Sequence, residues 1–282
     1  MFDELINSAQ QKASERIRGR ETIIGEDGLR YCPVCGKALE AIIPSLGRRT
    51  IRCACEQNQD EQARAEQAEK QRLYDVERQL SCSPLFDPSY RRYTFASDEH
   101  EHDDGFKDAA SKSRRYVEHF AEMQEECAGL LFAGTVGTGK TFYAASIVNA
   151  LIDKGVSALI VSTSRLLNVL KASREPQEII NGLNEFSLVV LDDLGAERTT
   201  DYTIEQLEDV VDARALAQKP LIVTTNLPPQ EIRSPSDLRL RRLFDRVNSL
   251  CQIIIPLTHE SLRASQARSR ADRAKAILCR DD

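Results

Sequence analysis

The chain has 282 residues and a formal net charge of −6, and 41% of its residues are hydrophobic. This length accommodates one substantial core and a small extra module, and the acidic balance excludes a protein held to nucleic acid by overall charge. No apolar run approaches the roughly 18 residues that a membrane-spanning helix needs, and the first residues lack a secretory signal. We therefore expect a cytoplasmic protein with no membrane partner.

Four of the eight cysteines form two close pairs, Cys32 with Cys35 and Cys53 with Cys55. A Cys-x-x-Cys turn gives two thiolates the spacing that tetrahedral Zn²⁺ accepts, and the second pair can complete the site. We predict a structural zinc site in a small module over residues 1–55, which begins with a weakly amphipathic helix over residues 1–18. The Cys-x-Cys half is tighter than the usual zinc knuckle, which keeps an iron–sulfur centre open as the alternative.

Residues 56–105 are predicted to connect this module to the main domain. Residues 56–80 are rich in Glu, Gln, Ala, Arg and Lys and contain neither glycine nor proline, which favours a solvated helix. Residues 81–105 contain two prolines and an acidic run, so we interpret them as an irregular linker.

Residues 106–282 alternate between helical and strand patterns, which predicts an α/β domain with a parallel sheet flanked by helices. Two strands are almost continuously apolar, as expected when both faces of a sheet are covered. The predicted strands are 129–133, 158–162, 188–191, 221–225 and 252–255. The predicted helices are 106–126, 140–154, 164–172, 177–184, 202–217, 238–248 and 260–278.

A glycine-rich segment follows the first of these strands and reads Gly134-Thr135-Val136-Gly137-Thr138-Gly139-Lys140-Thr141. In the pattern G-x-x-x-x-G-K-[ST], glycines let backbone N–H groups face phosphates, the lysine supplies positive charge and the hydroxyl binds Mg²⁺. The helix that starts here also directs its positive end at the anion. We therefore predict an ATP site, with Thr141 as a magnesium ligand.

Two later strands end in polar side chains that suit the same chemistry. Asp192 and Asp193 follow an apolar strand, where the first can hold Mg²⁺ and the second can orient or deprotonate the attacking water. Asn226 ends the next strand, and its amide is suited to hold that water or the γ-phosphate. We predict that these three residues are catalytic.

With these three motifs in order, the chain resembles AAA+ ATPases, and more narrowly the replicative helicase loaders of the DnaC/DnaI type. The resemblance covers roughly Phe86 to Arg263. It depends on Leu191-Asp-Asp-Leu-Gly-Ala-Glu197, Thr224-Thr-Asn226, Arg242-Leu-Phe-Asp-Arg246 and Ser261-Leu-Arg263.

The resemblance implies roles for further arginines and an oligomer. The family's R-x-x-D-R segment supplies an arginine finger, which falls on Arg242 with Arg246 second, and its S-x-R segment supplies a sensor-2 arginine, which falls on Arg263. A finger presented across a subunit boundary makes hydrolysis depend on assembly, so we expect self-association in the ATP state. Asp193 stands where most AAA+ proteins have glutamate, so we expect slow hydrolysis stimulated by DNA or a partner. The few residues after the last strand predict a reduced C-terminal lid.

The resemblance also implies the partners. A loader of this type would bind a replicative hexameric DNA helicase through its N-terminal module, help place it on single-stranded DNA, and use ATP as a switch for assembly and release. Two alternatives stay open, an IstB-type transposition helper and a non-hydrolysing helicase adaptor. The four-cysteine module counts against the first, and the short Asp193 keeps the second open. The basic residues that could contact DNA are Arg49, Arg52, Arg239, Arg241, Arg242, Arg263, Arg268, Arg270, Arg273 and Lys275.

Overall fold

The computed structural model describes residues 21–44, 46–100, 102–195, 200–235, 237–259, 261–262, 270–271, 273–275 and 278. The chain divides into two compact units, Met1–Gln71 and Arg72–Asp282. The predicted helix over residues 1–18 lies outside the described residues, as do Arg263, Arg268 and most of the predicted last helix and lid.

The first unit contains two antiparallel strand pairs and the start of a long helix. Strands β1 (Ile23–Ile24) and β2 (Arg30–Tyr31) pair, and β3 (Glu40–Ile43) pairs with β4 (Gly47–Thr50). Its buried hydrophobic cluster consists of Cys32, Leu39 and Cys53, with Cys35 and Cys55 packed against it. So small a core does not stabilise a folded unit without a cross-link.

Helix α1 (Ala54–Cys82) confirms the predicted connecting helix, and the boundary between the units falls within it. Its only buried residues are Val76 and Leu80, both in the second unit. The rest of the helix is solvated, as its charged and amide-rich sequence predicts.

The second unit contains the strands β5 (Leu130–Gly134), β6 (Ala158–Ser162), β7 (Leu188–Leu194), β8 (Leu221–Thr225) and β9 (Ile253–Leu257). They form a five-stranded parallel sheet in the order β6-β7-β8-β5-β9. Residues 188–191 of β7 are fully buried, as expected for a strand covered on both faces. This confirms the predicted α/β fold.

The helices differ from the prediction at two points. The predicted helix over residues 106–126 is divided at His119, and an unpredicted short helix follows β8. The helices of this unit are α2 (Lys107–Glu118), α3 (Phe120–Glu125), α4 (Lys140–Asp153), α5 (Thr163–Ala172), α6 (Pro176–Leu183), α7 (Asp201–Leu216), α8 (Pro229–Arg233) and α9 (Leu238–Leu250).

One charged side chain stabilises the centre of this unit. Arg214 on α7 is fully buried, and its guanidinium donates to the main-chain oxygens of Leu183, Phe186, Ser187 and Pro220 at 2.7–3.2 Å. These carbonyls lie at the end of α6, in the loop before β7 and just before β8. Arg214 therefore joins three chain segments through their main-chain oxygens.

Candidate functional site

Strand order determines where the predicted site forms. The P-loop strand β5 lies beside β8, and β8 lies beside β7, all parallel. The carboxyl ends of these three strands therefore meet at one edge of the sheet, the usual ligand-binding edge of an open α/β sheet. Gly134, Asp192 and Asn226 occupy that edge or follow it directly, as the sequence predicted.

The glycine-rich loop Gly134–Thr141 lies between β5 and α4, which begins at Lys140. Gly137 and Gly139 have φ angles of 84° and 90°, a left-handed conformation that side chains rarely adopt. The Lys140 ammonium is buried within the loop and donates to the carbonyls of Gly134 at 2.9 Å and Thr135 at 2.7 Å. A positive charge and a helix N-terminus thus converge on one concave backbone segment, which fits a nucleotide's phosphates.

Asp192 is the centre of a network of hydroxyl groups. Its Oδ1 accepts from Thr141 at 2.9 Å and from Thr224 at 2.7 Å, and its Oδ2 accepts from Tyr90 at 3.1 Å. The residue is only 3% exposed. Burial raises the pKa of Asp192 above its usual range, and the hydrogen bonds from the hydroxyls oppose that rise. An alcohol and a carboxylate side by side form the hard-oxygen donor pair that suits Mg²⁺.

A bulge in β7 redirects Asp193. The pairing of β7 with β8 shifts between Leu191 and Leu194, and Asp193 has a φ angle of 60°. Its N–H donates to Thr224 Oγ1 at 2.8 Å, and its Oδ1 accepts from Asn226 Nδ2 at 3.3 Å. A strained non-glycine residue of this kind costs on the order of 1–3 kcal/mol and is found chiefly at functional sites. The structure thus brings Asp193 and Asn226 together.

A cavity of about 320 Å³ lies next to the phosphate loop at Gly139. The Tyr93 and Phe142 rings meet edge to face with their centroids 5.9 Å apart, and the Arg92 guanidinium lies 4.7 Å from the centre of the Tyr93 ring. Such an aromatic cavity suits a planar base. The lining residues are Arg92, Tyr93, Ser97, Asp98, Glu99, His100, Phe106, Gly139, Phe142, Tyr143 and Leu262.

Sequence reasoning missed this cavity and Tyr90 because it treated residues 81–105 as an irregular linker. The structure forms two 3₁₀ helices there, Pro88–Arg92 and Phe95–Ser97. The aromatic residues at 90, 93 and 95 were the available signal, since a solvated linker rarely contains so many. The predicted domain boundaries at residues 55 and 105 stay predictions, although part of the predicted linker lines the candidate site.

The two arginines of the R-x-x-D-R segment have different surroundings on α9. Arg246 forms ion pairs with Glu208 at 3.1 Å and Asp212 at 2.8 Å, both on α7. Arg242 is exposed, and among the described residues its side chain forms no ion pair. It lines a cleft of about 1030 Å³ with Arg239, Arg241 and several carboxylates. No hydrogen bond in the described part of the chain joins Arg242 to the P-loop.

The four predicted metal ligands lie together in the first unit. The Sγ atoms of Cys32, Cys35, Cys53 and Cys55 are all within 4.8 Å of one another. Tetrahedral zinc with Zn–S bonds near 2.3 Å requires sulfurs about 3.8 Å apart, so a small closure of this cluster would hold one ion. Gly36 follows the first pair with a φ of 67°, and its N–H donates to the Cys32 carbonyl at 2.9 Å. This is a tight turn that presents both thiols on one side.

The thiols of this cluster differ in acidity. Hydrogen bonds from the Lys37 N–H and from the Cys55 side chain lower the pKa of Cys35 to about 6. The same contact with Cys35 raises the pKa of Cys55 to about 12, and burial raises that of Cys53. Close packing of four thiols thus favours one thiolate and penalises further ones, unless a cation compensates their charge.

The chain matches the sequence profile of the family described as "IstB-like ATP binding protein" over residues 90–271. It is 30% identical to the replicative helicase loader DnaC of Escherichia coli K12 over 149 residues, which are 51% of this chain and 58% of that protein. The chain thus spans somewhat more than half the length of the curated relatives that it matches.

Two solved structures share the fold. A crystal structure of the DnaC helicase loader is 26% identical, with a TM-score of 0.51 over 62% of this chain and 100% of that one. A crystal structure of DnaI is 24% identical, with a TM-score of 0.52 over 62% of this chain and 94% of that one. Both match the AAA+ type of fold seen in the second unit.

Proposed function

Because this chain belongs to the IstB-like ATP binding proteins, we propose that it is an ATP-controlled loader that places a replicative hexameric helicase on single-stranded DNA. The observation that carries the ATP site of this proposal is the 2.9 Å hydrogen bond between Thr141 and Asp192. It joins the phosphate loop to the acidic strand end, as a magnesium–nucleotide site requires. The similarity to DnaC supports the choice of a helicase as partner, and the cytoplasm is the proposed location. Within the described residues, no helix is long and apolar enough to cross a bilayer.

The residues of the site have distinct proposed roles. The loop N–H groups and Lys140 bind the phosphates of ATP, and Thr141 with Asp192 binds Mg²⁺. The bound ion would neutralise charge on the phosphate oxygens. Asp193 receives a proton from the attacking water, and Asn226 orients Asp193 through its amide. The strained backbone and short side chain of Asp193 favour slow hydrolysis, which suits a switch more than a motor.

Arg242 is proposed to complete the site of a neighbouring subunit. An exposed arginine that has no ion-pair partner among the described residues can reach another subunit at little cost, whereas Arg246 would first have to break two ion pairs. ATP binding would thus favour self-association, and hydrolysis would report it. Arg263 is proposed as the sensor-2 arginine on the strength of the resemblance alone.

The first unit is proposed to hold Zn²⁺ through Cys32, Cys35, Cys53 and Cys55 and to bind the helicase. Its folding would depend on the ion, since its hydrophobic cluster is so small. Metal analysis of the purified chain tests this point. One zinc per chain is expected, and iron in its place would refute the assignment.

The loader proposal is tested by mixing the purified chain with the hexameric helicase of the same host and a circular single-stranded DNA. Helicase should be retained on the DNA only with the chain and ATP, and Lys140→Ala should abolish that retention. Removal of residues 1–55 should prevent helicase capture while ATP binding persists. Helicase capture without any ATP hydrolysis would instead indicate an adaptor, and capture that survives the truncation would refute the role of the first unit.

A further inference from the structure

A segment that precedes all three ATPase motifs reaches the predicted magnesium carboxylate. Tyr90 lies in the 3₁₀ helix Pro88–Arg92, and its hydroxyl donates to Oδ2 of Asp192 at 3.1 Å. Oδ1 of the same carboxylate accepts from Thr141 and Thr224. The two oxygens therefore have separate neighbours: one faces the P-loop hydroxyl, and the other is held by Tyr90.

The backbone around Tyr90 is attached to the P-loop helix. Asn149 on α4 is 5% exposed, and its Nδ2 donates to the carbonyl of Tyr90 at 2.9 Å and to that of Tyr93 at 2.6 Å. Arg165 on α5 donates to the Phe86 carbonyl at 3.0 Å. These bonds satisfy main-chain acceptors that no strand or long helix satisfies, so the position of the Tyr90 hydroxyl is well determined.

The same few residues also reach the aromatic cavity. Arg92 and Tyr93 line it, two and three residues after Tyr90. A ligand in that cavity would therefore press on the segment that holds Asp192. A hydrogen bond to the distal oxygen of a metal-binding carboxylate fixes the plane of the carboxylate and the direction of its free lone pairs.

We propose that Tyr90 is a positioning residue, which holds Asp192 in the orientation that binds Mg²⁺ with the nucleotide. The segment Tyr90–Tyr93 thereby connects the magnesium carboxylate to the base cavity. This inference rests on the proposed ATP site. It adds a fourth sequence element to that site, one that lies outside the P-loop and the two later strand ends.

The test is Tyr90→Phe in the full chain, which keeps the ring and removes only the hydroxyl. Binding of a fluorescent ATP analogue is measured in EDTA and across a Mg²⁺ titration. Affinity in EDTA should stay within about twofold of the unsubstituted chain, since no phosphate contact changes. The Mg²⁺ concentration for the half-maximal gain in affinity should rise about tenfold, the usual effect of losing a bond that orients a metal ligand.

Tyr116→Phe is the matched control. The Tyr116 hydroxyl donates to the Ala128 carbonyl at 2.8 Å and does not contact the site. Its loss should leave the Mg²⁺ titration unchanged. Asn149→Ala keeps the Tyr90 hydroxyl but releases its backbone, so it should move the Mg²⁺ midpoint in the same direction as Tyr90→Phe. It also carries the test if Tyr90→Phe does not fold, as judged from its thermal denaturation.

An unchanged Mg²⁺ midpoint in Tyr90→Phe would overturn the inference. So would an equal loss of affinity with and without Mg²⁺, because that result would mean that the hydroxyl supports the nucleotide site independently of the metal. If the unsubstituted chain itself binds no ATP analogue, the proposed ATP site fails as well. If the unsubstituted chain binds the ATP analogue normally and Tyr90→Phe has the same Mg²⁺ midpoint, only the proposed role of Tyr90 is refuted.

Discussion

Arg242 and Arg246 lie one helical turn apart on α9, and the structure predicts that loss of the first affects ATP hydrolysis, whereas loss of the second affects stability. Arg242→Ala should lower ATP hydrolysis by at least about a hundredfold without changing stability, because trans-acting arginines contribute factors of roughly 10³–10⁵ at fast sites. Arg246→Ala should change stability instead, since its ion pairs with Glu208 and Asp212 join α9 to α7.

The size of the stability effect follows from the exposure of these ion pairs. The side chains of Arg246 and Asp212 are each 40% exposed, and that of Glu208 is 20% exposed. Partly exposed pairs contribute about 0.2–1 kcal/mol each, so Arg246→Ala should cost on the order of 1 kcal/mol. For a unit of this size, that corresponds to a decrease in Tm of about 2–4 °C. Thermal denaturation of both variants measures the difference.

A mixing assay determines whether Arg242 acts in trans. Arg242→Ala keeps an intact P-loop, whereas Lys140→Ala keeps an intact arginine, so neither variant should hydrolyse ATP alone. In a one-to-one mixture, roughly a quarter of head-to-tail interfaces would combine an intact P-loop with an intact arginine from the neighbouring subunit. ATP hydrolysis should therefore return to about a quarter of the rate of the unsubstituted chain. Full activity of Arg242→Ala alone, or no recovery in the mixture, would refute the reasoning.

Three further predictions concern other parts of the chain. Arg214→Met should destabilise the second unit by about 3–5 kcal/mol in urea denaturation, because it removes four hydrogen bonds to main-chain oxygens, three of them buried; a loss below about 1 kcal/mol would contradict this. Zinc chelation should unfold the first unit and expose Cys32, Cys35, Cys53 and Cys55 to iodoacetamide, as measured by mass spectrometry, because its hydrophobic cluster is too small to keep the fold without the ion. Thiols that stay protected after chelation would refute this. Gly134→Ala should abolish nucleotide binding or folding, since a Cβ there would lie 1.9 Å from the Leu257 carbonyl oxygen. A folded variant with normal ATP binding would contradict this, because it would mean that β9 can move away from the added methyl group.

Much of the phosphate site could be predicted because its chemistry is local in sequence. Glycines, a lysine and a threonine within eight residues define the loop, and the Lys140 ammonium bonds to carbonyls only five and six positions away. Asp192 could be predicted because a pair of carboxylates follows an apolar strand pattern downstream of the phosphate loop. The cysteine pairs were identifiable because zinc sites require short ligand spacings.

Other parts of the site depend on contacts between distant residues. Tyr90 and Asp192 are separated by 102 positions, and nothing in either local pattern pairs them. The strain at Asp193 arises from a bulge between β7 and β8, and the difference between Arg242 and Arg246 arises from the carboxylates of α7. Each of these properties belongs to a pair of elements and to neither element alone.

The sequence by itself determined that this chain has a phosphate-binding loop, an acidic strand end and a four-cysteine cluster, since each depends on residue type and short spacing. Tertiary structure decided which groups surround those features. The order of the parallel strands brings three strand ends to one edge of the sheet, and the packing of residues 84–97 against α4 and α5 adds the base cavity and the hydroxyl that holds Asp192. The physical reason is that hydrogen bonds and burial depend on distances in space, which the linear order of residues specifies only through the fold.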